Sequence, residues 1–148
     1  MHSKTSIWIL VTLFTLGLVA SRQTFAEDDN APVIASYKAF LPKFITAFAK
    51  EESGDMHNGP ARNVRYDLKK TDSVIYPLQG ILFFFSSRKP DDLHGGDYKK
   101  FSFTFSYSDG KWTVTSGSRL AHFKDGDPLD ANDITDFAEA VAEKAQKD

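Results

Sequence analysis

Phe101-Ser102-Phe103-Thr104-Phe105-Ser106-Tyr107-Ser108-Asp109-Gly110-Lys111-Trp112-Thr113-Val114 is the stretch that decides the fold. Large apolar residues alternate with small polar ones before Asp109-Gly110, and the alternation resumes after it. A period of two is typical of a β-strand, and Asp-Gly is a preferred pair for the two-residue turn of a hairpin. A turn of that length pairs Tyr107 with Trp112. The stretch therefore predicts a hairpin with one aromatic face and one serine and threonine face.

Two more strands are predicted before this hairpin. The segment from Arg62 to Lys70 alternates, and the segment from Leu78 to Ser87 contains five apolar residues in a row. An unbroken apolar run is typical of a central strand that is covered on both faces. The first of these strands places three apolar residues on one face: Val64, Tyr66 and Leu68.

Helical spacing of apolar residues predicts a helix on each side of the strands. Asn30 can cap the first helix near Pro32, Pro42 predicts a kink or break near Leu41, and Gly54 ends the helix. Asp130 can cap the last helix. The predicted fold class is α+β: an N-terminal helix packed on a four-stranded antiparallel meander sheet, with a C-terminal helix. The predicted buried positions are Ile34, Tyr37, Leu41, Phe44, Ile45 and Phe48 in the first helix, and Ile134, Phe137, Ala138, Val141 and Ala145 in the last.

The N-terminus has the three parts of a secretory signal peptide. Lys4 precedes the uncharged apolar run from Ile7 to Ala20, and Thr24-Phe25-Ala26 ends in a small residue. The run has about 14 residues, whereas a membrane-spanning helix needs roughly 20, so we favour a cleavable signal over an uncleaved anchor. We expect residues 1–26 to be a signal peptide and 27–148 a single α+β domain, exported to the periplasm or medium after cleavage near Ala26.

Charge and composition exclude several classes of function. Residues 1–26 hold two of the 18 basic residues and none of the 20 acidic ones, so the processed chain has a net charge of about −4. An acidic surface argues against nonspecific nucleic-acid binding. The absence of cysteine excludes thiol catalysis and cysteine-ligated metals. The sequence has no phosphate-binding loop, dinucleotide fingerprint or Gly-x-Ser-x-Gly motif, although a Ser–His–Asp site assembled in space stays open.

Two acidic segments could be metal sites, but each has a simpler interpretation. His94 lies near Asp91, Asp92 and Asp97, which together could hold zinc or simply form a solvated loop. The segment that begins with Asp125-Gly126-Asp127 resembles a calcium loop but lacks the required residues at three positions: Leu129, Asp130 and Asp136. We therefore predict neither a metal nor a cofactor.

The segment Tyr66-Asp67-Leu68-Lys69-Lys70-Thr71-Asp72-Ser73-Val74-Ile75-Tyr76-Pro77-Leu78-Gln79-Gly80 is a candidate binding surface. The alternative is turn chemistry, in which Asp72 and Ser73 bond nearby backbone and Pro77 starts the next strand. The candidate binding residues are Tyr66, Asp67, Lys69, Lys70, Asp72 and Tyr76.

That segment resembles one found in small exported bacterial proteins of unknown function, with the pattern Tyr-Asp-x-x-Lys-Thr-Asp-Ser-x-x-x-Pro-x-x-Gly. The resemblance covers about a tenth of the chain. It implies a shared strand–turn–strand and brings no activity with it. A helix followed by an antiparallel meander is also similar to cystatin-like and NTF2-like folds, a likeness of fold that carries no function.

The sequence favours a noncatalytic exported binding or accessory module, whose partner is an envelope protein, a glycan or a small ligand. We expect no nucleic acid as partner and no stable membrane anchor after processing. The alternative is a small NTF2-like enzyme with a pocket behind the sheet, using Tyr66, Asp67 and His122. A third hypothesis is self-association through the serine and threonine face or an edge strand, and the oligomeric state stays open. The enzyme hypothesis fails if four rings fill the pocket: Phe101, Phe103, Phe105 and Trp112.

Overall fold

The computed structural model describes residues 19–20, 30–52, 59–126 and 130–147. Apart from 19–20, the predicted signal peptide lies outside the described residues, as do Gly54 and residues 127–129. The helices are α1 (Ala31–Glu52) and α2 (Thr135–Lys147), with a short 3-10 helix at Pro90–His94. The strands are β1 (Val19–Ala20), β2 (Ala61–Lys70), β3 (Leu78–Ser86), β4 (Tyr98–Ser108), β5 (Lys111–His122) and β6 (Asn132–Asp133).

The strands form one sheet in the order β1-β2-β3-β4-β5-β6. The four long strands are the predicted antiparallel meander, so the α+β class is confirmed. The predicted strand number was wrong, because β1 pairs in parallel with β2 and β6 pairs with β5. Both extra strands have two residues, too few to show a period of two in the sequence.

The hairpin of β4 and β5 has the predicted register. Tyr107 lies opposite Trp112, and Asp109 and Gly110 both adopt positive φ angles, of 52° and 76°. Two positive φ angles at the turn are the requirement of the type I′ hairpin, and they explain why Asp-Gly stands there. The register shifts by one residue at Thr115, whose side-chain hydroxyl donates to the Thr104 carbonyl at 3.1 Å.

Helix α1 runs without a break through Pro42, so of the predicted kink or break near Leu41 the break is not present. Proline removes one helical hydrogen bond. The apolar side chains on either side of it compensate, since Leu41, Phe44 and Ile45 are all buried. The N-terminus is as predicted, with Ile34 donating its backbone N–H to the Asn30 carbonyl at 2.9 Å.

Helix α2 begins at Thr135, so the predicted cap at Asp130 was wrong. Asp133 provides the side-chain hydrogen bonds at this end of the helix. Its Oδ1 accepts from the Thr135 backbone N–H at 2.9 Å and from the Thr135 hydroxyl at 2.6 Å. These bonds lower the pKa of the Asp133 carboxyl. Both residues are acids before an apolar stripe, and the sequence pattern alone does not distinguish them.

The core lies between the aromatic face of the sheet and the two helices. Phe44 meets Phe103 and Phe105 edge to face, with ring centroids 5.2 Å apart in both pairs. Phe48 meets Phe101 and Phe103 in the same way, both at 5.0 Å. We call the aromatic face of the sheet, which packs against the helices, the inner face, and the opposite face the outer face. The four rings whose positions test the enzyme hypothesis are all buried there: Phe101, Phe103, Phe105 and Trp112.

Strand β3 is central, as predicted. Its two faces were predicted to be equally covered, and they are not. Leu82 and Phe84 are buried on the inner face, whereas Ile81, Phe83 and Phe85 are half-buried on the outer face. Side chains of the sheet itself shield the outer face. The rings of Phe83 and Phe85 pack at 5.1 Å, and the Lys100 ammonium lies 5.1 Å above the ring of Phe83.

Candidate functional site

Strand β2 separates the first two candidate binding residues, because successive side chains point to opposite faces of a sheet. Tyr66 lies on the inner face, where its ring meets that of Tyr37 at 6.1 Å. Burial raises the pKa of the Tyr66 hydroxyl. Asp67 lies on the outer face, and its Oδ1 accepts the backbone N–H of Leu68 at 2.9 Å. Tyr66 and Asp67 therefore cannot bind one ligand from the same side.

The other four candidates lie toward the end of the β2–β3 hairpin. Lys69 and Lys70 are the last two residues of β2, and both are exposed. Asp72 and Tyr76 belong to the connecting loop, residues 71–77. These four share one end of the sheet, whereas Tyr66 lies further back against α1.

The loop is held by its own hydrogen bonds. Thr71 donates its hydroxyl to the Tyr76 carbonyl and its backbone N–H to the Pro77 carbonyl, the latter at 3.0 Å. Ser73 donates its N–H to the Thr71 hydroxyl at 3.2 Å, and its own hydroxyl accepts the Tyr76 N–H at 3.1 Å. Ser73 makes the side-chain bond to nearby backbone that the turn interpretation predicts. The other hydrogen bonds of the loop involve Thr71. The loop is therefore locally preorganised.

Three consecutive apolar residues project from this loop into solvent. The exposed fraction is 96% for Val74, 71% for Ile75 and 44% for Tyr76. We call these three residues the apolar tip. Sequence reasoning missed Val74 and Ile75, although a signal was present: two aliphatic residues stand inside a turn segment, between Ser73 and Tyr76-Pro77.

The residues proposed for an enzyme do not converge. His122 ends β5 and lies opposite Tyr98, on which its ring stacks at 4.6 Å. Its Nδ1 lies 2.9 Å from the Gly96 carbonyl oxygen. Asp67 lies on β2 opposite Ile81, with strands β3 and β4 between it and β5. Tyr66, Asp67 and His122 therefore lie in three different surroundings.

The inner face is filled with rings and lacks the cone-shaped space of an enzyme pocket in the part of the chain that the structure describes. One cavity there is bordered by Phe48, Phe84 and Phe101, and its volume is about 20 Å³. A space of that size holds about one water molecule. The arrangement gives no room for a substrate among these residues.

The acidic loop near His94 is used for local structure. Asp92 Oδ2 accepts the Lys89 backbone N–H at 3.0 Å, and Asp97 Oδ1 accepts that of Lys124 at 2.9 Å. The side chain of His94 is exposed. Among the described residues, no group of three or more His, Asp or Glu side chains could hold a metal ion.

A buried ion pair at the opposite end of the sheet was not foreseen from the sequence. Glu52, the last residue of α1, accepts from Lys99 Nζ at 3.3 Å and from Arg119 Nη1 at 2.9 Å. The side chains of Lys99 and Glu52 are only 4% and 11% exposed. Lys99 and Arg119 are 47 and 67 positions from Glu52 in the chain, so no local pattern reveals the contact.

We expect Glu52→Gln to lower the free energy of unfolding by about 2 kcal/mol, because it removes the carboxylate from a buried ammonium. Lys99→Met is expected to cost less than about 1 kcal/mol, since methionine fills the space and Glu52 keeps Arg119 at 2.9 Å. Urea unfolding of both variants at neutral pH measures the difference. Equal losses would contradict this account of the ion pair.

The described helices include none that is long and apolar enough to span a membrane. Comparison with protein-family models, with curated proteins and with solved structures found no match for this chain.

Proposed function

We propose that this chain is a noncatalytic, exported binding module that makes contact through the apolar tip. One observation carries the proposal: Val74, Ile75 and Tyr76 stand together at 96%, 71% and 44% exposure on an ordered loop. Scattered exposed apolar residues are ordinary on a protein surface, whereas contiguous ones mark contact sites. The four long strands and the two helices direct their apolar side chains mainly to the core.

The loop is suited to recognition because its shape is fixed before any partner arrives. Thr71 and Ser73 bond the backbone of Tyr76 and Pro77, so the tip does not have to be ordered during binding. Preorganisation lowers the entropic cost of association. Function is also placed disproportionately on loops that a rigid scaffold presents, and the β2–β3 hairpin is such a scaffold.

A small NTF2-like enzyme is the second hypothesis, and the packing does not favour it. That hypothesis needs a pocket behind the sheet, where polar groups converge. Phe44, Phe48 and Phe103 pack against one another in that place. Turnover that survives repurification and is lost when one titratable residue is replaced would contradict the noncatalytic proposal.

Site-specific photo-crosslinking tests the proposed contact in the cells that export the protein. Benzoylphenylalanine placed at Ile75 is expected to give an adduct with a protein or a lipid, because that side chain is 71% exposed and apolar. The matched control carries the same group at Lys43, an exposed position on α1. An adduct at Ile75 that is absent at Lys43 supports the proposal. Equal yields at both positions, or no adduct at Ile75, would contradict it.

A further inference from the structure

We infer that the apolar tip inserts into the headgroup region of an anionic lipid surface, with Lys69 and Lys70 contacting the headgroups. This inference rests on the proposed function and names its partner. The tip is the inserting element, and the two exposed lysines stand directly behind it at the end of β2. Exposed apolar side chains favour insertion at a membrane surface, and each lysine near an anionic surface adds electrostatic attraction.

The size of the tip favours a bilayer over a folded protein as partner. A stable protein interface uses roughly 20–30 residues and about 800 Å² on each side. The tip offers three residues, with the polar Asp72 and Ser73 before it and Pro77 after it. A lipid surface needs no complementary shape, so a narrow apolar projection can bury its side chains there.

The charge near the tip differs in sign from that of the whole chain. Residues 69–77 and 108–111 hold three lysines against two acids, Asp72 and Asp109, a net charge of +1, whereas the processed chain has a net charge of about −4. Lys111 and Asp109 are both exposed at the same end of the sheet, at the turn of the neighbouring hairpin, and their charges offset each other. The aliphatic stems of lysines extend along apolar surface while the ammonium groups reach anionic headgroups.

Tyr76 suits the boundary between hydrocarbon and water. Its ring is partly exposed, and a tyrosine presents an apolar body with a polar hydroxyl. Its backbone N–H and carbonyl are both bonded within the loop, to Ser73 and Thr71. Insertion therefore does not strip these two backbone groups of their partners, which is the main cost of moving irregular backbone out of water.

Vesicle flotation tests the inference with defined lipids. The protein is the processed chain purified after export, with its N-terminus established by mass spectrometry, because the apolar run Ile7–Ala20 would itself bind lipid. We expect binding to phosphatidylcholine vesicles that contain phosphatidylglycerol, and weaker binding to phosphatidylcholine alone. Added salt is expected to weaken the contribution of the exposed lysines.

Two double variants separate the apolar and the charged contributions. Val74→Ser with Ile75→Ser is expected to weaken vesicle binding at least about tenfold. Lys69→Glu with Lys70→Glu is expected to weaken binding to the anionic vesicles about tenfold. The matched control makes the same charge change on α1, with Lys38→Glu and Lys43→Glu, and is expected to bind within about twofold of the unsubstituted chain.

The outcomes distinguish failure of the lipid assignment from failure of the proposed function. Absence of vesicle binding, or binding that the serine variant leaves unchanged, overturns the lipid assignment. A protein adduct at Ile75 in cells together with failed vesicle binding removes the lipid and keeps the binding module. Failure of both experiments removes both proposals.

Discussion

Phe48→Ala lowers the free energy of unfolding by about 4 kcal/mol, the cost expected for removing a fully buried phenylalanine. The ring of Phe48 is 1% exposed and meets the rings of Phe101 and Phe103 at 5.0 Å. Alanine leaves a cavity where α1 meets the middle of the sheet, and the surrounding rings cannot collapse into it fully. Small domains have a total stability of about 5–15 kcal/mol, so the loss is a large fraction.

Phe137→Ala is the matched control for this prediction. Phe137 also contacts Phe48, at 5.4 Å, but its side chain is 39% exposed on α2. We expect a smaller loss, of about 1–2 kcal/mol, since more than a third of the removed surface already faces water. Urea unfolding followed by the fluorescence of Trp112 measures both variants. Similar losses for the two rings would contradict a core centred on α1 and the inner face.

Gly80→Ala is expected to lower the free energy of unfolding by about 3 kcal/mol, because the new methyl group overpacks the core. A Cβ at this position would lie 2.6 Å from Cε2 and 2.9 Å from the hydroxyl oxygen of Tyr37. The ring of Tyr37 cannot withdraw, since it packs on Trp112 at 4.6 Å and its hydroxyl donates to the Ile81 carbonyl at 2.8 Å. Burial, followed by the charges of Tyr66 and Asp67, raises the pKa of the Tyr37 hydroxyl well above its usual range.

A double-mutant cycle tests whether Tyr37 is the cause. In a Tyr37→Leu background the clashing ring atoms are absent, so Gly80→Ala is expected to cost less than about 1 kcal/mol. The unfolding free energies of the two single variants and the double variant give the coupling. Additive losses would show that the glycine is required for another reason.

Local patterns predicted the parts of the fold that local chemistry determines. The register of the β4–β5 hairpin followed from alternation and Asp109-Gly110, and the helical stripe of α1 followed from its spacing. The two-residue strands β1 and β6 were missed because such short pairings depend on what lies beside them in space. The run Ile81–Phe85 led to the wrong prediction of equally covered faces. An apolar run does not show whether the second face of a strand is covered by another layer or by side chains of the same sheet.

The site was predicted less completely than the fold. The segment that contains the loop was predicted to be a binding surface, but the predicted binding residues included polar ones such as Asp67 and Asp72. Val74 and Ile75 were passed over because exposure is a property of the folded chain, and aliphatic residues are by default expected inside. The contact of Glu52 with Lys99 was missed for a related reason, since it joins distant parts of the chain.

The unfolding free energy of the Val74→Ser, Ile75→Ser variant tests the central claim most directly, because it needs no knowledge of the partner. The proposed contact site requires that these side chains contribute nothing to the core, which their 96% and 71% exposure indicates. Urea unfolding is predicted to give a value within about 0.5 kcal/mol of the unsubstituted chain. A loss of about 2 kcal/mol or more would mean that the residues are packed within the protein, and would contradict the account.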